Sequence, residues 1–364
     1  MKQQYLKPWS REYSRQFSDP RVRLASAGLL AASNHNMQPW KLVLDRADPM
    51  VFYLYADSSR TTREADPYAR QMMISQGTFL EYAAVAGEEE GLYADISLFP
   101  EGEYDESKFL EDMDTKPVAK ITLSQMPQKK SALYDSLFLP DTNRAAYRQI
   151  PLTPGQKTAM EAFSEESAIS VRLFDQEKDI EKIGGFAMQS ASTEAGIPRI
   201  MDESESIFRS NERQKNAFRY GYSIEGQGAG GFKKHLLQGL LTLFPSLNAG
   251  SSASRNFISS VRTSVENTPA YGMIITPGNS RREQVESGML YSRLVLSGHS
   301  SGLVMQPLSQ VLEEYPEMEP AYSELKKAYA PDGGTIQMLF RMGTPAKNGV
   351  RTMRRDVMNL ISDH

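Results

Sequence analysis

Residues 32–42 read Ala-Ser-Asn-His-Asn-Met-Gln-Pro-Trp-Lys-Leu, a polar block set between an apolar, helix-like run from Leu24 to Ala32 and a strand-like run from Lys41 to Leu44. A helix that stops in Ser, Asn and His and restarts as a strand after Gln-Pro-Trp leaves backbone N–H groups and amide side chains directed at a shared space. Such a turn can grip a planar, hydrogen-bonding ligand. It can equally be a plain connection, with Asn closing the helix and Pro barring its continuation.

Outward from this turn, two stretches share a layout, and internal duplication predicts architecture. In the first, Val51 to Tyr55 is strand-like, a polar turn carries Asp57 and Arg60, and a helix runs from about Ala69 to Glu90 before Gly91-Leu92 and the strand-like Ile96 to Phe99. In the second, Tyr271 to Ile275 is strand-like, a turn carries Asn279 and Arg281, and a helix runs from about Arg282 to Ser300 before Gly302-Leu303 and Val304 to Leu308. Gly77 precedes Gly91 by the same 14 residues that separate Gly288 from Gly302. Each half closes on a further strand, Val118 to Leu123 and Thr335 to Met342. The two helices are apolar on several faces (Phe79, Leu80, Tyr82, Ala83, Ala84, Val85; Met289, Leu290, Leu294, Val295, Leu296). All-round apolar helices are buried between other elements, so these two are expected to pack at the centre of one body.

The halves, residues 1–130 and 131–364, diverge elsewhere. The acidic segment Glu101 to Asp114 reads as an exposed loop, and Ser124 to Lys130 as a linker. The second half carries an insertion over 199–260, with a glycine-rich run, Gly226 to Gly231, and an amphipathic patch, His235 to Phe244. A loop this long inside a compact domain is usually functional or disordered. Its content of Phe208, Arg209, Arg213, Phe218, Arg219, Tyr220 and Tyr222 favours a packed, lid-like flap.

Composition narrows the chemistry. The 364 residues suffice for one large domain or two ordinary ones. A formal charge of −4 argues against nucleic acid or an anionic membrane as partner. With no cysteine, disulfides, thiolate nucleophiles, iron–sulfur clusters and thiolate zinc sites drop out together. The four histidines, His35, His235, His299 and His364, show no metal-ligand spacing, so no metal is expected. The start lacks the apolar core of a secretory signal and no window reaches the length of a membrane span, which reads as a soluble, cytoplasmic protein. No catalytic triad is available, so redox or transfer chemistry would have to come from a cofactor.

The 32–42 block resembles the Pro-Ser-x-x-Asn-x-Gln-Pro-Trp segment of the nitroreductase family: Ser33, Asn36, Gln38, Pro39 and Trp40 match, and Ala32 replaces the usual proline. In that family the segment lies against the isoalloxazine of FMN, which implies a flavin contact for Ser33, Asn34, Asn36 and Gln38. Asp141-Thr142-Asn143-Arg144-Ala145-Ala146-Tyr147-Arg148 resembles the family's basic ribityl and phosphate motif, and the Thr-Asn-Arg-Arg-Pro-Phe element of the Acg-like branch, in which two nitroreductase halves are fused. Thr142, Asn143 and Arg144 match; Asp141 and Ala145 replace residues that are usually basic, which weakens the implied phosphate site. Read without the resemblance, the segment is an Asx turn opening a loop before Pro151. Arg351, Arg354 and Arg355 resemble the basic element near the family's C-terminus that reaches the phosphate, and arginine suits bidentate phosphate contacts. Gln306, in Met305-Gln306-Pro307-Leu308, falls where the family approaches the flavin N5 edge.

The two motif types are unevenly shared: the Asn-Met-Gln-Pro-Trp block stands only in the first half and the basic motifs only in the second. One composite site follows, in place of the two of a symmetric homodimer. The resemblance thus implies an α+β, nitroreductase-type fold in which two tandem halves form an intramolecular pseudo-dimer, with further homo-oligomerisation open. It implies one FMN, with NAD(P)H as transient reductant of a small electron-poor acceptor, a nitroaromatic or quinone, and no side chain as catalytic base. A lidded flavin would instead make an FMN-sequestering protein with little turnover, and loss of the cofactor would leave an α/β interaction protein.

Overall fold

The computed structural model describes residues 2–164, 168–225 and 250–362. The glycine-rich run Gly226 to Gly231 and the patch His235 to Phe244 lie outside the described residues.

The first half runs through α1 (Arg11–Arg15), α2 (Pro20–Gly28), β1 (Trp40–Leu44), β2 (Val51–Ala56), α3 (Arg70–Glu90), β3 (Leu92–Leu98), α4 (Phe109–Thr115) and β4 (Ala119–Gln125). The second runs through α5 (Pro154–Glu161), β5 (Ser170–Phe174), α6 (Glu177–Ala195), α7 (Pro198–Ser206), α8 (Glu212–Phe218), α9 (Gly250–Glu266), β6 (Ala270–Thr276), α10 (Arg281–Ser300), β7 (Val304–Pro307), α11 (Glu319–Tyr329) and β8 (Thr335–Gly343). Local signals explain many of the starts. Asp19 accepts the Arg21 N–H with Pro20 at the first helical position of α2, and Ser280 with Glu283 forms a reciprocal capping box at α10.

The architecture is α+β, and the two sheets have the same plan. Their strand orders are β1-β2-β4-β3 and β5-β6-β8-β7, with every neighbouring pair antiparallel. In each, one long helix precedes the third strand in sequence, α3 before β3 and α10 before β7. These two helices lie against each other at the centre. A Cβ on Gly77 would stand 1.8 Å from the Val285 carbonyl oxygen, and one on Gly288 would stand 1.9 Å from that of Ile74. The contact is reciprocal: each glycine meets the carbonyl three residues before the other, the pattern of a two-fold interface. Across it the buried Glu81 accepts from Nε and one terminal guanidinium nitrogen of Arg293 at 2.8 and 2.9 Å. Gly91 and Gly302, with φ of +72° and +74°, follow the two helices in the left-handed conformation glycine adopts freely.

Beyond β8 the chain returns to the first half. Val357 and Leu360 are buried in the first half's core, and the Leu42 N–H donates to the Leu360 carbonyl at 2.7 Å. Two sequence readings shift. The excursion between β5 and β6 begins after Phe174 and takes in α6, so it starts well before residue 199. The acidic segment is partly helix: Asp112 of α4 is buried and accepts the Asp105 N–H at 2.7 Å, while Glu106 grips Arg281 of the second half. Among the described residues no helix is long and apolar enough to cross a membrane.

Candidate functional site

The 32–42 block forms a tight turn with three non-glycine residues in left-handed backbone: His35, Asn36 and Gln38, with φ of 46°, 53° and 52°. Each such residue costs on the order of 1 to 3 kcal/mol and persists only where its surroundings impose it. Here the surroundings are hydrogen bonds. The Gln38 N–H donates to Ser33 Oγ at 2.9 Å, and Asn34 Nδ2 to Thr62 Oγ1 at 2.9 Å. Asn36 Nδ2 donates to the carbonyls of Gly221 (2.8 Å) and Met353 (3.1 Å), and Asn36 Oδ1 accepts from Arg354 at 3.0 Å. Gln38 is buried, with Nε2 on Arg219 O (2.9 Å) and Oε1 accepting the Arg355 N–H (2.8 Å). The turn therefore joins the first half to both the insertion and the tail. Trp40 is fully buried beneath it, donating to Ser75 O at 2.7 Å.

Against this turn lies a cavity of about 260 Å³, whereas a single water needs only about 10–15 Å³. Several separate stretches of the chain border it, Glu194 of α6 among them. Ser33, His35 and Asn36 come from the turn; Asp141, Thr142 and Arg144 from the opening of the second half; Gln306 and Leu308 from β7 and its exit; Thr352 and Arg354 from the tail. A further wall comes from the insertion: Met201, Ser204, Phe208, Gly221 and Tyr222 on one side, Asn256, Phe257 and Ser260 of α9 on another.

Of the residues singled out in sequence, Ser33, Asn36, Thr142, Arg144, Gln306 and Arg354 border this cavity, and Asn34, Gln38, Asn143, Arg351 and Arg355 do not. Asn143 forms the Asx turn, accepting the Ala145 N–H at 2.9 Å while Nδ2 donates to Lys347 O. Arg355 spends its guanidinium on the carbonyls of Gln38, Trp40 and Asn359, which holds β1 to the tail. Arg351 is exposed and donates to Phe138 O at 3.2 Å. These are bracing positions, and the arginine cluster of the tail thus divides: only Arg354 reaches the cavity.

Arg354 is buried, donating to Leu30 O (2.7 Å) and Asn36 Oδ1, with its Nε lacking a partner. Burial pushes its pKa down to about 10, so it stays cationic. Arg144 keeps accessible surface that faces the cavity, and desolvation lowers its pKa. Gln306 Oε1 accepts from Arg341 Nε (2.8 Å) and Ser264 Oγ (3.2 Å). Because arginine only donates, the oxygen must face it, and the amide Nε2 is left as donor.

Several members carried weaker sequence signals. Asp141, which replaces an expected base, is buried and accepts the Ala32 N–H at 2.5 Å and the Tyr82 hydroxyl, tying the second half's opening to α3 and the turn. Burial raises it to about 6, opposed by these bonds and by Arg354. Arg341 is fully buried in β8, over the Tyr147 ring at 3.8 Å, and holds Gln306 and the Ala145 carbonyl. A lone arginine inside the apolar run Thr335 to Met342 was the sign of it. His35 presents an unpartnered Nδ1, and desolvation with the Arg144 charge lowers it to about 4, so its imidazole is neutral. Glu194, near the end of α6, is buried with Oε2 unpartnered, and burial pushes it up to about 8. Among the described residues no group of acidic and histidine side chains could hold a metal.

No protein-family model and no curated protein match the chain. Among solved structures, the FMN-dependent nitroreductase NfnB from Mycobacterium smegmatis, in complex with NADPH, is similar over 56% of this chain and 83% of its own, at 14% identity and a TM-score of 0.32. A putative nitroreductase from Anabaena variabilis is similar over 87% of this chain and 82% of its own, at 10% identity and a TM-score of 0.41.

Proposed function

We propose that this chain is an FMN-dependent oxidoreductase of the nitroreductase type, in which residues 1–130 and 131–364 imitate the two subunits of that family's dimer and share one FMN. The observation that carries this is convergence: Ser33, Asn36, Thr142, Arg144, Gln306 and Arg354, from four distant stretches, border one cavity. The donor set suits the cofactor. Arg354 with its unpartnered Nε, and Arg144, would meet the phosphate; Gln306 Nε2 and the turn's Ser33 and Asn36 would meet polar edges of the ring; Met201, Phe208 and Leu308 supply apolar surface. FMN, when bound, supplies hydride transfer between a dihydronicotinamide and an electron-poor acceptor. The side chains orient it, neutralise its phosphate and exclude water.

One observation favours the sequestering alternative: Met201, Ser204, Phe208, Gly221 and Tyr222 of the insertion wall the cavity on its far side. A closed wall would admit FMN slowly and nicotinamide poorly. Absorbance of the FMN-loaded chain under anaerobic NADPH separates the two readings. Bleaching of the flavin bands within seconds is the result expected of a reductase; bound flavin that NADPH leaves oxidised would identify the sequestering protein, and a chain that takes up no FMN would overturn both.

A further inference from the structure

Glu194 stands on the cavity wall in a setting that opposes its charge. It is 5% exposed, its Oε2 has no hydrogen-bond partner, and it is the penultimate residue of α6, whose carbonyl end carries negative partial charge. Burial is what opposes its charge. Glu313, at the end of the 3₁₀ turn Ser309–Leu312, is likewise buried with an unpartnered Oε2, and the charges pressing on it are Glu194 and Asp66. The hydroxyls of Tyr222 and Tyr315 also feel Glu194; the charges of Arg144 and Arg209 act on Tyr222, and the Arg199 guanidinium lies over the Tyr315 ring, 6.0 Å from its centroid. Two carboxyls so placed cannot both ionise. Burial raises both, and Glu194 is neutral at physiological pH.

We propose that Glu194 is the proton donor of this cavity, giving its proton to an acceptor that is reduced there. The inference rests on the reductase reading. The acceptor is a conjugated carbonyl or nitro compound, and the reductant is a hydride donor of the dihydronicotinamide or dihydroflavin class. As one atom of the acceptor gains the hydride, the π pair moves to its oxygen or nitrogen. That atom bonds the Glu194 proton while the Glu194 O–H bond breaks and leaves its pair on the carboxylate. Water restores the proton after product leaves.

The test uses the full chain and Glu194→Gln, which keeps shape and neutrality but cannot donate as an acid. In the cofactor-free protein, pH-difference infrared spectra of wild type should show a protonated-carboxyl band at neutral pH that is missing from Glu194→Gln. Absence of that band in wild type overturns the proposal whatever the activity. In the FMN-loaded protein, the rates of reduction by NADPH and of reoxidation by ferricyanide, which takes electrons without a proton, are the references against which Glu194→Gln is read. Its reoxidation by a quinone should be slower by about 10²-fold or more, with loss of the solvent deuterium effect. Quinone reoxidation at the wild-type rate overturns the donor role. A wild-type chain that binds no FMN would overturn the reductase reading and the transfer with it, and a surviving carboxyl band would distinguish that failure from an ionised Glu194.

Discussion

Arg144 and Arg355 carry the same sequence-level expectation, a cation for phosphate, yet they occupy different environments. Arg144 faces the cavity, whereas Arg355 is consumed by three backbone carbonyls. Arg144→Ala should therefore weaken FMN by on the order of 1.5 to 3 kcal/mol and leave riboflavin nearly unchanged. Arg355→Ala should lower stability and affect both ligands alike; a selective FMN loss in Arg355→Ala, read by fluorescence titration, would reverse these assignments. Titration gives a second prediction at this scale. Asp66 and Asp141 are raised by burial to about 6 and Glu194 to about 8, so the folded state holds protons that the unfolded chain releases. Their stability is present below the ordinary carboxylate range and is lost as pH rises through the raised values. His35, lowered to about 4 mainly by desolvation, runs the other way, its contribution lost as pH falls below the ordinary histidine range. Between about pH 6.5 and 8 the Glu194–Glu313 pair still holds protons that the unfolded chain has released, and unfolding free energy should fall there by about 1.4 kcal/mol per pH unit for each of them, up to about 2.7 in all. Glu194→Gln should flatten that slope in urea titrations, and an equally steep decline in the variant would sink the assignment. Of these residues the sequence made the amide turn legible, because Asn-x-Gln-Pro-Trp is a specific string. It hid Glu194 and Asp141, since a buried acid looks like a solvated one until its neighbours are known.

The central helices set the geometry at the scale of elements. Their crossing needs the absence of two β-carbons, because each would enter a carbonyl oxygen of the other helix. Gly77→Ala or Gly288→Ala should each destabilise by about 1 to 3 kcal/mol through overpacking. Gly185→Ala, also inside a helix but with open space at the Cβ position, should stabilise by about 0.5 to 1 kcal/mol. Opposite signs in thermal melts are expected, and a neutral Gly77→Ala would mean that the helices do not cross there. The equal glycine spacing made the matching of these helices legible in sequence, and strand positions other than β5, which the sequence reading did not mark, followed to within a few residues because alternating and continuous apolar runs mark them. The long excursion between β5 and β6 was not legible at its start. α6 has the amphipathic pattern of an ordinary surface helix, and nothing in its residues says that it begins an insertion.

Across the whole molecule, the cavity exists because chain segments cross between halves. The tail leaves β8 and docks on β1, carrying Arg354 to the 32–42 turn, while the opening of the second half is tied back to α3 through Asp141 and Tyr82. Leu360, buried in the first half's core, is a remote handle on this arrangement. Leu360→Ala should cost about 2 to 5 kcal/mol and loosen the tail, so that FMN affinity falls without any change in a cavity-lining residue. Unaltered affinity in a destabilised Leu360→Ala would uncouple tail docking from the site. That residues of both halves meet at this cavity was foreshadowed by the uneven sharing of motifs, but its insertion wall depends on long-range packing that no local pattern encodes. As proposed, two matching halves build one composite flavin site. Calorimetric titration of the purified, cofactor-free chain with FMN tests it most directly: saturation at one FMN per chain is the predicted result, and saturation at two, or no binding at all, would contradict it.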